Sequence, residues 1–399
     1  MTTATPRRVL TMNRGSSTLK STLYETARQN EPLLAMSVDQ KGRTDSRLKI
    51  ADSKGNILLD TAVDSGESNA AVETMLAWLG AQGFLIGLAA VGHRLVHGGP
   101  KYREPQRVTA EFMAEIEKIV PLDPDHLPAA IRGIQFVSAK LPQVPQVACF
   151  DTAFHRTLPQ VARMYALPRR VFEQGIARYG FHGLSYEYIM SELVRLEGKL
   201  ADGRVIIAHL GSGASMAAVK NGKSVDTSMG FVPLEGLVMS TRPGDVDPGV
   251  LLYLLEQEKM APAELSTLLN KKSGLLGVSE TSGDMRALLE NSGRDPRAAD
   301  AVELFCYRAK KYIGAYAAVL GGLDLLIFAG GIGEHAPAIR KRICEGMGFL
   351  GIRLDFAAND ANAGLISAGD SSVRVRVIET NEDLMIVRHV VALLGWASA

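Results

Sequence analysis

Residues 205–219 read Val205-Ile206-Ile207-Ala208-His209-Leu210-Gly211-Ser212-Gly213-Ala214-Ser215-Met216-Ala217-Ala218-Val219. Val205-Ile206-Ile207-Ala208 is short, apolar and rich in β-branched residues, which predicts a buried strand. Gly211-Ser212-Gly213 supplies a turn, and residues 215–219 return as the partner strand. Asn221-Gly222 then offers a hairpin turn before a further strand at residues 223–227. The same plan opens the chain: residues 8–24 are an apolar strand, a Gly15-Ser16-Ser17 turn and a second strand alternating through Leu19, Ser21 and Leu23. Two hairpins with Gly/Ser tips, each opening one half of the chain, predict two domains of like topology.

Helical stripes surround these strands. Val72, Met75, Leu76 and Leu79 fall on one face, as do Phe112, Met113, Ile116 and Val120. A longer stripe runs through Val302, Phe305, Cys306, Ala309, Ile313 and Tyr316. It precedes a third apolar run, residues 325–329, which ends in Gly330-Gly331-Ile332-Gly333-Glu334. A strand entering such a cluster lets backbone approach a ligand closely. Strands alternating with helices define an α/β chain.

At 399 residues the chain has room for two domains. Its 46% hydrophobic and 22% charged residues exclude a disordered protein. Lys plus Arg number 44 and Asp plus Glu 43, a net charge of +1, which argues against a nonspecific nucleic-acid or membrane-surface binder. Any anionic ligand must therefore meet locally gathered cations. Cys149, Cys306 and Cys344 are far apart and odd in number, so neither a disulfide framework nor a Cys-x-x-Cys site is expected, and a cytoplasmic location fits. Val9-Leu10 is too short an apolar run for a signal segment, and no stretch approaches a membrane span.

Several residues carry chemistry. Gly211-x-Gly213 alone reads as a tight turn, since no Walker A sequence is present and these turns lead into strands. The two hairpin tips together, however, are suited to gripping one polyphosphate with backbone N–H groups. Lys20 is either a point charge for that phosphate or a solvated surface lysine. His93 and His97 have the i, i+4 spacing of zinc ligands but no intervening Glu and a strand-like context, so no metal role is expected for them. Arg94, on an apolar strand, needs an answering anion, either a substrate or a structural carboxylate. Arg242 lies among turn residues. Asp151 and Asn13 each end an apolar strand, where crevice residues of α/β sheets sit. Glu382 is either such a residue or a helix start with Thr380 as N-cap. His182 by itself reads as a core histidine.

Taken together, the motifs resemble the acetate kinase family along nearly the whole chain. The matching stretches are residues 13–20 (NRGSSTLK), 92–99 (GHRLVHGG), 150–155 (FDTAFH), 179–183 (YGFHG), 209–215 (HLGSGAS), 233–237 (PLEGL), 241–245 (TRPGD), 330–334 (GGIGE) and 380–382 (TNE). The resemblance implies two ribonuclease-H-like lobes of the actin-like ATPase fold around a nucleotide cleft. The expected N-terminal lobe comprises residues 1–150 plus 381–399, on the acyl and Mg²⁺ side, and the ATP-binding lobe residues 151–380. It implies ATP- and Mg²⁺-dependent (or Mn²⁺-dependent) phosphorylation of acetate by a homodimer. Asn13 and Glu382 match the positions associated with the metal. Lys20, His209, Leu210, Gly211, Ser212, Gly213, Asp284, Met285, Arg286, Gly331, Ile332, Gly333, Glu334 and His335 match the ATP site. Arg94 matches the acyl-carboxylate contact, with Val96, Phe181 and Pro233 around the acyl pocket. Asp151 matches the catalytic carboxylate, and His182 and Arg242 the stabilisers of the transferring phosphoryl group.

Three departures are expected to matter. Ser212 stands where the family usually has Asn, Asp125 replaces an apolar residue beside the acyl pocket, and His335 replaces Asn on the adenosine side. The alternatives are a propionate or other short-chain acyl kinase, a sugar kinase with Asp151 as true base, and a noncatalytic nucleotide-binding module.

Overall fold

The structure, a computed structural model, describes residues 7–15, 18–27, 31–39, 46–63, 69–124 and 126–396. Ser16 and Ser17 of the first hairpin tip, residues 1–6 and Asp125 lie outside the described residues. The chain separates into two compact units, Met1–Ala153 with Asn381–Ala399, and Phe154–Thr380.

Unit 1 is built on β1 (Arg8–Arg14), β2 (Thr18–Glu25), β3 (Pro32–Asp39), β4 (Arg47–Asp52), β5 (Ile57–Ala62), β6 (Leu88–Leu95), β7 (Gln106–Arg107) and β8 (Gln146–Phe150). They form one sheet in the order β5-β4-β3-β2-β1-β6-β8-β7. The first five strands pair antiparallel, whereas β1, β6 and β8 run parallel. The register sets Asn13 opposite Lys20, Met12 opposite His93 and Arg94 opposite Cys149. The carboxyl ends of three adjacent parallel strands therefore bring Asn13, Arg94 and Asp151 to one edge, where ligands of α/β sheets bind. The helix Glu382–Leu393 packs on β1 and β6 through Ile386, Val387 and Val390. A Cβ on Gly92 would stand 2.3 Å from Ile386 Cγ2, so only glycine lets this helix lie so close to the sheet.

Unit 2 repeats the plan. Its strands are β9 (Arg204–Leu210), β10 (Ala214–Lys220), β11 (Lys223–Thr227), β12 (Leu325–Ala329) and β13 (Arg374–Val377), in the order β11-β10-β9-β12-β13. β9 and β10 form an antiparallel hairpin, and β9, β12 and β13 are parallel. This is the order of β3-β2-β1-β6-β8 in unit 1, so the echo between the two hairpins reflects a duplicated sheet. β9 and β12 are buried along almost their whole length, which explains their unbroken apolar sequence. The helix Pro296–Leu320 buries Val302, Phe305, Cys306, Ala309, Ile313 and Tyr316, the predicted stripe. Among the described residues, no helix is long and apolar enough to cross a membrane.

Candidate active site

In unit 1 the centre is Arg94. Its Nε and Nη2 donate to the two oxygens of Asp151 at 2.9 and 2.6 Å, and Nη1 donates to Asn13 Oδ1 at 3.1 Å. Glu382 Oε2 lies 3.6 Å from Nη1 and accepts from Asn13 Nδ2 at 2.9 Å. The side chain of Asp151 is 1% exposed and that of Arg94 13%, so this is a buried, bidentate pair of the strong kind. Burial alone would lower the Arg94 pKa, but Asp151 first and Glu382 next outweigh it and hold the guanidinium firmly charged. A structural carboxylate thus answers the buried cation, one of the two answers the sequence left open.

Glu382 is the first residue of its helix, but Asn381 is the cap, accepting from Leu384 N, and Thr380 is not. Thr380 instead donates its N–H to Glu334 and its hydroxyl to Ser185. Two carboxylates, Glu382 and Asp383, occupy the first turn, where the helix dipole favours them. Asp383 accepts from Thr11 and Thr22 at 3.0 and 2.9 Å; burial pushes its pKa up, and the two hydroxyls partly offset that. Sequence reading missed Asp383, although its position one turn-step from Glu382 in a first helical turn was the available signal.

The donor set here is oxygen-only: the Glu382 carboxylate and the Asn13 amide oxygen. Among the described residues no group of three or more His, Cys, Asp or Glu could enclose a metal. Two protein oxygens fit a hard cation that keeps several waters and is held also by substrate phosphates, which is the habit of Mg²⁺. Lys20 is exposed on β2, and Val96 is half-buried just past β6.

In unit 2 the β9–β10 turn is the focus. Gly211 N donates to Gly213 O at 3.0 Å, closing the turn. A Cβ on Gly213 would lie 2.9 Å from Arg242 Nη2 and 3.2 Å from His182 Nε2, so the guanidinium and the imidazole converge on this glycine. Arg242 Nη1 donates to Pro233 O at 2.6 Å. His182 has left-handed backbone, φ 58° and ψ 25°, immediately before the helix Gly183–Glu197. That conformation costs a non-glycine residue ~1–3 kcal/mol and clusters at functional sites. The ring of His182 stacks on that of His209, 4.3 Å between centroids, and its Nδ1 bonds Ser215 Oγ at 2.8 Å. His209 Nδ1 bonds Ser185 Oγ at 2.8 Å. Neither Ser185 nor Ser215 was singled out from sequence.

The Gly330–Glu334 segment is not an open loop but the short helix Gly330–His335. Gly330 has φ +74°, and a Cβ there would meet Leu210 backbone at 2.7 Å, so this segment abuts the β9–β10 turn. Glu334 Oε1 accepts from Gly330 N and Thr380 N at 2.8 and 3.1 Å, which makes Glu334 a buckle between the two backbones. Ser240 N donates to Ser212 O at 3.0 Å, and a Cβ on Gly283 would meet Ser240 O at 2.8 Å. This chain of contacts brings the residues 284–286 to the same region: Asp284 caps the helix Met285–Asn291 by accepting from Ala287 N, and Met285 is buried. His335 is exposed, 3.8 Å from Glu334. Phe181 is 1% exposed.

A duplicated ribonuclease-H-like sheet with a glycine turn flanked by Arg242 and His182 defines a two-lobed α/β protein of the actin-like ATPase fold. A model of the Acetokinase family matches residues 8–388, so the chain belongs to that family. It is 47% identical over 390 residues to an acetate kinase of Rhodopseudomonas palustris, covering 96% of this chain and 97% of the relative. Among solved structures, it resembles Porphyromonas gingivalis acetate kinase (41% identity, TM-score 0.88, 97% and 100% of the two chains covered). It also resembles a propionate kinase from Francisella tularensis (34% identity, TM-score 0.90, 96% and 98% covered).

Proposed function

We propose that the protein transfers the γ-phosphoryl group of ATP to the carboxylate of acetate, forming acetyl phosphate and ADP in a direct, reversible, in-line step. The observation that carries this reading is the state of Asp151. Both of its oxygens are committed to Arg94, so it is placed to orient a cation and not to take a proton. A sugar hydroxyl acceptor would need a base, whereas a carboxylate with a pKa of ~4–5 is already ionised at neutral pH and needs none. The remaining problem is to bring an anion against a polyanion, which calls for fixed positive charge.

The groups divide between the units. In unit 1, described side chains take three of the five N–H donors of Arg94, and the other two suit an incoming carboxylate. Glu382 and Asn13 would hold Mg²⁺, which when bound offsets phosphate charge. In unit 2, the β9–β10 turn with Gly331 to His335 cradles the phosphates and adenosine, and Asp284 to Arg286 flank it. Arg242 and His182 donate to the equatorial oxygens of the phosphoryl group in transfer. Val96, Phe181 and Pro233 provide the apolar surroundings of the methyl group, and Lys20 adds a cation.

The protein acts as a homodimer in this reading. The helix Pro248–Glu256 has the sequence PGVLLYLLE yet buries none of its residues, leaving Val250, Leu252 and Tyr253 about half exposed. Such an apolar face is suited to a second copy of the chain. The buried thiols of Cys149, Cys306 and Cys344 suit the cytoplasm. The function is tested by incubating the protein with ATP, Mg²⁺ and each of the C1 to C4 carboxylic acids and trapping acyl phosphate with hydroxylamine. Hydroxamate is expected, most from acetate; none from any acid would overturn the reading.

A further inference from the structure

Tyr186 is wholly buried, one turn into the helix Gly183–Glu197, and sequence reading gave it no role. Its ring is fixed by Phe154 and His155, with centroids 5.7 and 5.5 Å away. Its hydroxyl lies at hydrogen-bond distance from Ser215 Oγ, which is in turn 2.8 Å from His182 Nδ1. Unit 2 is described throughout, and Ser215 is the hydroxyl's one hydrogen-bond partner among the described residues.

We infer that Tyr186 is a positioning residue that, through Ser215, fixes His182 as the neutral tautomer carrying its proton on Nε2. A buried O–H donates to whatever acceptor it has, and for Tyr186 that acceptor is Ser215 Oγ. Ser215 has a single hydroxyl proton, which is then directed at His182 Nδ1. Nδ1 must therefore accept, and the ring proton resides on Nε2. That nitrogen is the one facing Gly213, 3.2 Å from where a Cβ would stand. Either arrangement in which Nδ1–H donates to Ser215 leaves one buried proton without an acceptor, that of the phenol if Ser215 donates back to Tyr186 or that of Ser215 if it accepts from both neighbours, and is disfavoured roughly ten- to a hundredfold.

Ionising the phenol offers no escape, because burial first of all pushes the Tyr186 pKa up. The guanidinium of Arg242 approaches the same glycine, and the stacked His209 has its own Nδ1 tied to Ser185. An Nε2–H is a donor, and a donor is what a phosphoryl oxygen needs. The inference rests on the reading of His182 as a phosphoryl contact.

The test uses the full chain labelled with ¹⁵N-histidine, His182 being assigned by the resonances lost in H182Q. Wild type is expected to show an acceptor-type Nδ1 and a protonated Nε2. Y186F keeps the ring packing but frees Ser215, so both tautomers are expected. Its kcat with ATP, Mg²⁺ and acetate should fall about three- to tenfold, while both KM values stay within about twofold, the loss of roughly one hydrogen bond's discrimination. S215A should also lower kcat, and Y186F/S215A should fall no further than S215A, since one relay links both residues. A proton on Nδ1 in wild type, or an unchanged tautomer in Y186F, overturns the relay. If the tautomer shifts but H182Q keeps full kcat, the phosphoryl role of His182 is overturned, and with it the catalytic part of the inference.

Discussion

Gly213→Ala puts a single methyl group where the two donors of unit 2 converge. The glycine does not have a positive φ, so alanine fits the backbone and the perturbation is steric. The new Cβ would stand 2.9 Å from Arg242 Nη2 and 3.2 Å from His182 Nε2. The first distance is about 0.6 Å short of the ~3.5 Å at which a carbon meets a neighbour comfortably. The guanidinium must move by at least that much, away from the turn and against its bond to Pro233 O. A misplacement approaching 1 Å at a reacting centre costs about a hundredfold in rate, so kcat should fall by ten- to a hundredfold. Stability should change by no more than about 0.5 kcal/mol, because the site is partly open and no core is disturbed. The assay is steady-state acyl phosphate formation at saturating ATP and acetate, with urea unfolding in parallel. Full kcat in a variant whose unfolding midpoint matches wild type would refute the placement of Arg242 and His182 at the reacting group.

Asp151→Asn breaks a buried pair but leaves Asn13 and Glu382 near Arg94, so a stability loss of about 3 kcal/mol is expected, at the low end for such pairs, and a lowered urea midpoint should report it. His93 and His155 are buried, and burial above all lowers the pKa of each to about 4. The unfolded chain then binds more protons than the folded one between about pH 6.5 and 4, so stability falls as pH falls through that window, by on the order of 3 kcal/mol per histidine. Thermal unfolding from pH 7 down to 4 should show the decline, and His93→Gln should flatten part of it. Arg340 is fully buried and, among the described residues, hydrogen-bonds no carboxylate, donating to Gly333 O, Glu334 O, Asn359 and Asn362. Arg340→Met strands those carbonyls, which should cost about 3 kcal/mol and raise the KM for ATP more than that for acetate. Equal effects on the two KM values would contradict its role in setting the Gly330–His335 segment.

The duplicated sheet was legible because buried parallel strands demand unbroken apolar runs, and the glycine turns punctuate them at matching places. Arg94 and Asp151 were legible as strand-end residues, but their mutual pairing was not. It depends on β6 and β8 being neighbours, a long-range fact that spacing does not carry. The cap before Glu382 was misplaced by one residue because Thr380 and Asn381 are both good caps, and Thr380 is drawn away by Glu334 and Ser185. Ser185, Ser215 and Tyr186 escaped notice because a small hydroxyl or a buried ring carries no local signature of its partner. The helical form of the Gly330–His335 segment was hidden by its glycines, which disfavour a helix until Glu334 and Arg340 hold its ends.

The most direct measurement follows the phosphorus. With ADP, Mg²⁺ and acetyl phosphate, ³¹P NMR should show the acetyl phosphate resonance falling as the γ resonance of ATP grows at the same rate, and Arg242→Ala should abolish most of that exchange. Acetyl phosphate that persists, or that decays to inorganic phosphate without ATP appearing, would contradict the account.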